Sequence, residues 1–302
     1  MASHRFLPHH FHNTIGSHAP ALSIGDGDTV VTDTVDAHGF DHRGVQRAHR
    51  PNPMTGPFHV EGAEPGDALA VRIDAMTLTR PTGWTYQSLS ENVVDPGAVA
   101  RLPPRTKVEW AVDARSGFAR LAEPPPALAA WQTPLAPMIG CFGVAPAMGQ
   151  AISTATSGPY GGNMDYRLLG PGIEIMFPVA VPGALFFLGD VHAAQGCGEI
   201  PGTGIETTAE ITFTVRVLKN HPINWPRGET VTDIFTIGNA RPLEQALQHA
   251  TSEMLSWLQS GFGLDAVAAA HIMGQQVRYD IANVFNPAFS VACRIARGQL
   301  PR

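Results

Sequence analysis

Glycine (31 residues) and proline (26) recur along the whole of this 302-residue chain, leaving few stretches long enough for a helix. Proline removes a backbone donor and clashes inside a helix, and glycine loses more backbone freedom on ordering than any other residue. Such punctuation favours short strands joined by turns. Apolar segments recur between the breaks, and hydrophobic residues make up 44% of the chain, so a packed β-rich fold is expected rather than disorder. No fixed-period repeat suggests a solenoid or propeller.

Ala21 to Asp36 reads as two strands around Gly25-Asp26-Gly27-Asp28, and Phe58 to Glu61 and Ala68 to Ile73 as further strands. Arg80 to Pro137 is loop-rich, with a hairpin from Val108–Val112 and Phe118–Leu121. Gly172 to His192 holds two buried strands split at Val181-Pro182-Gly183. Glu206 to Leu218 reads as one long strand whose polar face is Thr208, Glu210, Thr212 and Thr214. A helix then starts near Pro242, presents Leu243, Ala246, Leu247, Ala250, Met254, Leu255 and Leu258 on one face, and ends at Gly261 or Gly263. Leu264 to Met273 is a second helix opened by Asp265, and Val277 to Ile295 supplies one or two last strands. The expected fold is mainly β with an α/β C-terminal part. We divide it into an N-terminal β-rich part, 1–138, and a central and C-terminal α/β part, 139–302, carrying most of the site; the alternative is one intertwined domain.

The net charge of −6 and the absence of a Lys/Arg-rich run argue against a nucleic-acid partner. The apolar run from Ile173 to Leu188 is broken by Glu174, Pro178, Pro182 and Gly183, so no membrane span is expected. Met1 to Asn13 lacks the apolar core of a signal peptide. Cys141, Cys197 and Cys293 form neither a disulfide framework nor a C-x-x-C pair, and a cytoplasmic protein is expected.

Chemistry-bearing side chains concentrate in Asp190-Val191-His192-Ala193-Ala194-Gln195-Gly196-Cys197-Gly198-Glu199. If the preceding strand continues, Asp190 and His192 share a face, and Gly-Cys-Gly lets the chain turn Glu199 back toward them. The cluster suits a metal ion or a proton transfer; it is equally a hydrogen-bonded Asp–His pair with Glu199 as a surface charge. Gly161-Gly162-Asn163-Met164-Asp165 presents an amide and a carboxylate at alternate positions, or forms an Asx-type turn. Asn52 to Asp67 is explained mostly by turn chemistry, with Glu64 and Asp67 structural. His9, His10, His12 and His18 read as a solvated terminus, His12 and Asn13 being the pair to watch. Cys197 with His192 as base, or Ser153 or Ser157, are possible nucleophiles, but no helix N-terminus, Gly-x-Ser-x-Gly element or Ser-Lys pair supports them.

Together the blocks resemble the acetamidase/formamidase family: Thr55-Gly56-Pro57 with Val60 to Asp67, Gly143 to Ala147, Gly161 to Asp165, Gly189 to Gly196 ending in Gly198-Glu199, and Gly202 to Glu206, in the family's order. The resemblance implies hydrolysis of short-chain amides to a carboxylic acid and ammonia, a jelly-roll-like β-sandwich, a homo-oligomer, a divalent metal, and one pocket holding Asn163, Asp165, Asp190, His192 and Glu199. Cys197 stands where a Gly-Asp-Gly-Glu form is usual, and His59 replaces a usual aromatic.

From this follows an expected mechanism. Asp165, Asp190 and His192 hold the metal, zinc being expected and calcium the alternative; Glu199 is the general base and Asn163 an oxyanion donor. Phe186, Phe187 or tryptophans would wall the acyl pocket. The rival readings are a non-catalytic member whose ion only stabilises the fold, acting as a small-molecule binding or structural protein, and thiol chemistry at Cys197.

Overall fold

A computed structural model describes residues 1–301. Two large sheets pack face to face as a β-sandwich. The first has nine strands in the order Ser3–Phe6, Thr29–Asp33, Ala209–Leu218, Ala68–Leu78, Glu174–Pro178, Arg227–Glu229, Asp233–Ala240, Phe289–Ala296 and Arg278–Asn283. The second has eleven. Its centre is Phe186–His192, paired with Met138–Val144 on one side and with Glu206–Thr207 and Thr55–Val60 on the other.

The core lies between the inner faces. Phe213 of the first sheet meets Phe58 and Phe186 of the second at ring-centroid distances of 5.2 and 5.3 Å, and Phe142 meets Phe177 at 5.4 Å. Burying each such side chain contributes roughly 1.5–3 kcal/mol. Phe186 and Phe187 are both fully buried in this core, which removes them from the acyl wall expected of them.

The two long helices are Leu243–Phe262, closed by left-handed Gly263, and Ala266–Gln276, where Asp265 accepts from the Ala268 amide at 2.8 Å. Met254, Trp257 and Leu258 cover the outer face of the first sheet against Ile234, Cys293 and Ile295. Among the described residues no helix is long and apolar enough to cross a membrane.

The two strands expected around Gly25–Asp28 form, in different sheets: Leu22–Ile24 joins Thr55–Val60 in the second, and Thr29–Asp33 joins the first. Two expectations change. The strand expected over Glu206–Leu218 is two strands: Glu206–Thr207 belongs to the second sheet, and Ala209–Leu218 to the first. The N-terminus is not frayed, because Ser3–Phe6 pairs in parallel with Thr29–Asp33. Asn13 Nδ2 donates to the carbonyls of His49 and Pro51 at 2.6 and 2.5 Å, holding the loop that leads into Asn52.

Candidate active site

The central strand of the second sheet ends in Asp190 and His192, both buried, with His192 Nε2 3.6 Å from Asp190 Oδ1. Asp165 follows the strand Gly161–Asn163 and is fully buried. The chain turns at Cys197–Glu199, with Gly198 at φ 82° and Glu199 at φ 45°, and delivers Glu199 inward; it is 5% exposed, which overturns its reading as a surface charge. Glu206, opposite His192 in the ladder, brings Oε1 to 3.0 Å from His192 Nε2. Ligand atoms of Asp165, Asp190 and His192 lie within 4.8 Å of one another, and so do those of His192, Glu199 and Glu206.

Hydrogen bonds orient this cluster. Gln195 Nε2 donates to the Asp165 carbonyl at 2.6 Å, so its Oε1 faces His192 Nδ1 at 2.8 Å and holds the proton there. That leaves His192 Nε2, facing the carboxylates, as the nitrogen that would ligate a metal once its proton is displaced. Asn52 Nδ2 donates to Asn163 Oδ1 at 2.9 Å and Asp190 Oδ2 at 3.0 Å. Asn286 Nδ2 donates to Asp165 Oδ2 at 2.6 Å. Neither Asn163 nor Asp165 uses its side chain in an Asx turn. Asn52, Asp165, Asp190 and Glu199 all take positive φ, at 29°, 47°, 56° and 45°. Left-handed backbone at four non-glycine residues around one point is strain of the kind that concentrates at functional sites.

The cluster fits a cation. Asp165 Oδ1, Asp190 Oδ1, His192 Nε2, Glu199 Oε2 and Glu206 Oε2 are buried without a hydrogen-bond partner. Gly140 leaves the space between them open: a Cβ there would stand 2.5 Å from Asp165 Oδ1 and 2.8 Å from Asp190 Oδ2. Burial, reinforced by Asp190, pushes the Asp165 carboxyl up to about 7. Burial, opposed by His192 and reinforced by Asp190, pushes Glu206 up to about 8. Burial and the adjacent Asp165 drive Glu199 well above the carboxylate range. Burial opposes charge on His192, yet Glu206 and Asp190 hold it well above its ordinary value. Carboxylates packed this closely keep protons unless a cation replaces them, and a bound ion reverses that balance. One imidazole among carboxylate oxygens is a donor set for a divalent metal.

Above the cluster opens a cleft of about 300 Å³, floored by Asp190, Glu199 and Glu206 and walled by Trp84, Tyr86 and Phe285.

The sequence model of the acetamidase/formamidase family matches residues 9–156 and 147–282 of this chain. The chain belongs to the acetamidase/formamidase family. It is 30% identical over 241 residues to an acetamidase of Mycolicibacterium smegmatis, covering 63% of this chain and 59% of that protein. A formamidase of Methylophilus methylotrophus is 26% identical over 212 residues, 55% of this chain and 52% of its own length. The chain thus spans between 52% and 62% of the length of the curated relatives it matches. The solved structure of acetamidase from Yersinia enterocolitica superposes with a TM-score of 0.85 at 30% identity, over 99% of this chain and 93% of that one. Acetamidase from Bacillus halodurans gives 0.82 at 28% identity, over 97% of both chains.

In this acetamidase/formamidase family member, the five residues singled out in the sequence converge, with Asn163 lining the cleft beside Asp190 and Glu199. Glu206, Asn52, Asn286 and Gln195 were missed as site residues. Glu206 and Gln195 carried a usable signal, since they lie in the family blocks Gly202 to Glu206 and Gly189 to Gly196. Cys197 is exposed and borders a different cleft, with Trp110 and Trp131; His192 has both nitrogens directed at Gln195 and the carboxylates, so it is not placed as a base for that thiol. Asp67 is structural as expected, accepting from Lys219 Nζ and the amides of Asn220 and Glu64.

Proposed function

We propose that this chain hydrolyses short aliphatic amides of the acetamide and formamide type to a carboxylic acid and ammonia, with a divalent metal assisting the attack of water. The observation that carries this reading is the set of five buried, unpartnered ligand atoms beneath an open cleft that Asp190, Glu199 and Glu206 line. The acetamidases and formamidases it is similar to support the substrate class.

Asp165, Asp190 and His192 would hold the ion, with Glu206 on the other side of His192 Nε2. The ion when bound lowers the pKa of a water and polarises the amide carbonyl. Glu199 takes a proton from the attacking water as the new C–O bond forms. It returns that proton to the amide nitrogen, so that the C–N bond breaks to ammonia rather than to an amide anion. Asn163 Oδ1 is occupied by Asn52, so its NH₂ end is left to donate to the developing oxyanion.

We assign zinc as the ion, on the strength of the imidazole with its supported Nδ1. The excess of carboxylates favours a second reading, in which calcium merely stabilises the fold of a non-catalytic binding protein. We further assign a cytoplasmic homo-oligomer, the assembly state being read directly by light scattering.

The test is ammonia release from acetamide, formamide and propionamide, with and without complete metal removal, alongside metal analysis. Zinc with chelator-sensitive turnover supports the enzyme; calcium with no turnover of any amide supports the rival. Full activity in Glu199→Gln removes Glu199 from the base position.

A further inference from the structure

The mouth of the cleft is built differently from its floor. Arg105 lies over the rings of Tyr86 and Phe285, with its guanidinium carbon 4.0 and 4.8 Å from their centroids. Its Nη1 donates to the Pro201 carbonyl at 2.5 Å, which fixes the fork and leaves its other N–H groups available. Arg50, exposed, borders the same cleft from the loop before Asn52. Among the described residues neither arginine has a carboxylate within ion-pair distance, whereas Arg80, further back, is paired with Asp36 at 2.8 Å. The cleft therefore carries buried acids on its floor and, elsewhere in its lining, two guanidinium groups with no ion-pair partner among the described residues.

Its aromatic walls are already covered. Arg105 occupies Tyr86 and Phe285, while His38 and Lys107 Nζ lie 4.2 and 4.3 Å from the Trp84 ring. These rings pack against Arg105, Lys107 and His38 rather than offering free faces to a substrate ring. The space also exceeds the simplest amides. A four-heavy-atom amide fills on the order of 100 Å³, taking about 30 Å³ for a water, against the cleft's 300 Å³.

Resting on the amide-hydrolysis reading, we infer that the substrate is a short amide whose acyl part ends in a carboxylate, such as the monoamide of a small dicarboxylic acid. Its amide end lies over Asp190, Glu199 and Glu206, and its carboxylate is received by Arg105 and Arg50. A guanidinium fork matches a carboxylate in geometry as well as charge. The two guanidinium groups draw that carboxylate away from the floor, so the contacts that bind the substrate also set its direction.

The experiment compares succinamate with butyramide, similar in length but uncharged, by ammonia release from the metal-loaded protein. The expected kcat/KM ratio favours succinamate by about 10- to 100-fold, the range of a charge-assisted hydrogen bond. That ratio falls toward unity in Arg105→Gln and drops in Arg50→Gln, and Arg105→Lys retains part of it. In the unmodified protein, added salt raises KM for succinamate but not for butyramide, a readout that stands even if an Arg105 variant fails to fold. Butyramide turned over as well as or better than succinamate overturns this inference alone. Ammonia from no amide at all overturns both it and the hydrolysis reading.

Discussion

Glu206 sets its carboxylate 3.0 Å from His192 Nε2, from the position directly opposite His192 in the ladder. With His192 Nδ1 held by Gln195, Glu206 stands beside the one imidazole nitrogen that faces the cluster. Glu206→Gln keeps the size and removes the charge. It is expected to weaken metal binding by about 10- to 100-fold, as loss of a supporting carboxylate does at other metal sites. Isothermal titration of the metal-free protein reads this directly; unchanged affinity would remove Glu206 from the centre.

Five ligand atoms left buried without partners make the metal-free state costly. Chelation is expected to lower the melting temperature and restored metal to raise it, by an amount that grows with free metal as RT ln(1 + [L]/Kd). At a hundredfold excess over Kd this is about 2.7 kcal/mol. Calorimetry at stepped metal concentrations tests it, and melting independent of metal would contradict the site.

Asn52 combines a strained backbone, φ 29°, with an amide that bridges Asn163 and Asp190. Asn52→Ala loses the bridge and keeps the strain, and is expected to cost about 1–3 kcal/mol. Asn52→Gly relieves the strain and should cost less stability. Both should lose turnover, because Asn163 is then free to rotate. Denaturant melts paired with kcat measurements separate strain from hydrogen bonding.

The Cβ of Gly140→Ala would stand in the space enclosed by Asp165, Asp190 and His192, with His192 Cε1 3.0 Å away. The substitution adds only a methyl group to a strand, where alanine is conformationally acceptable. Metal uptake is expected to be lost by tenfold or more, with the metal-free protein still folded. Metal content and circular dichroism on the same sample give the answer.

Asp67 offers a pH test away from the site. Burial works against its charge, but hydrogen bonds from Lys219 at 2.6 Å and from the amides of Asn220 and Glu64, each at 2.9 Å, hold it below its ordinary value. The unfolded chain binds the proton more readily, so this stabilisation is present at neutral pH and is lost as pH falls below about 4. Asp67→Asn should melt a few °C lower at pH 7, roughly the effect of 1 kcal/mol, with the gap closing toward pH 3. A constant gap would contradict the argument.

Much of the site could be read because it follows local rules. Period-two alternation predicted Asp190 and His192 on one face, and Gly198 marked the turn that delivers Glu199. Glu206 was not singled out. It opened what reads as one strand to Leu218, but the chain changes sheets at Thr208, and a break between sheets leaves no trace in the periodicity. Asn52, Asn286 and Gln195 were missed because an amide in a turn looks the same whether it bonds its own backbone or a distant carboxylate.

By itself, the sequence determined what depends on near neighbours. Gly and Pro spacing selected strands over helices, Asp265 and Gly263 bounded the two helices, and the ordered blocks carried the family. Tertiary structure alone decided which strands share a sheet, that Phe186 and Phe187 face the core rather than the cleft, and that Glu206, Asn52 and Asn286 close around His192, Asp190 and Asp165. The physical reason is range. Strand and cap preferences act over a few residues, whereas a buried charge must find partners wherever the fold brings them, and here Asn286 reaches Asp165 across 121 positions of chain.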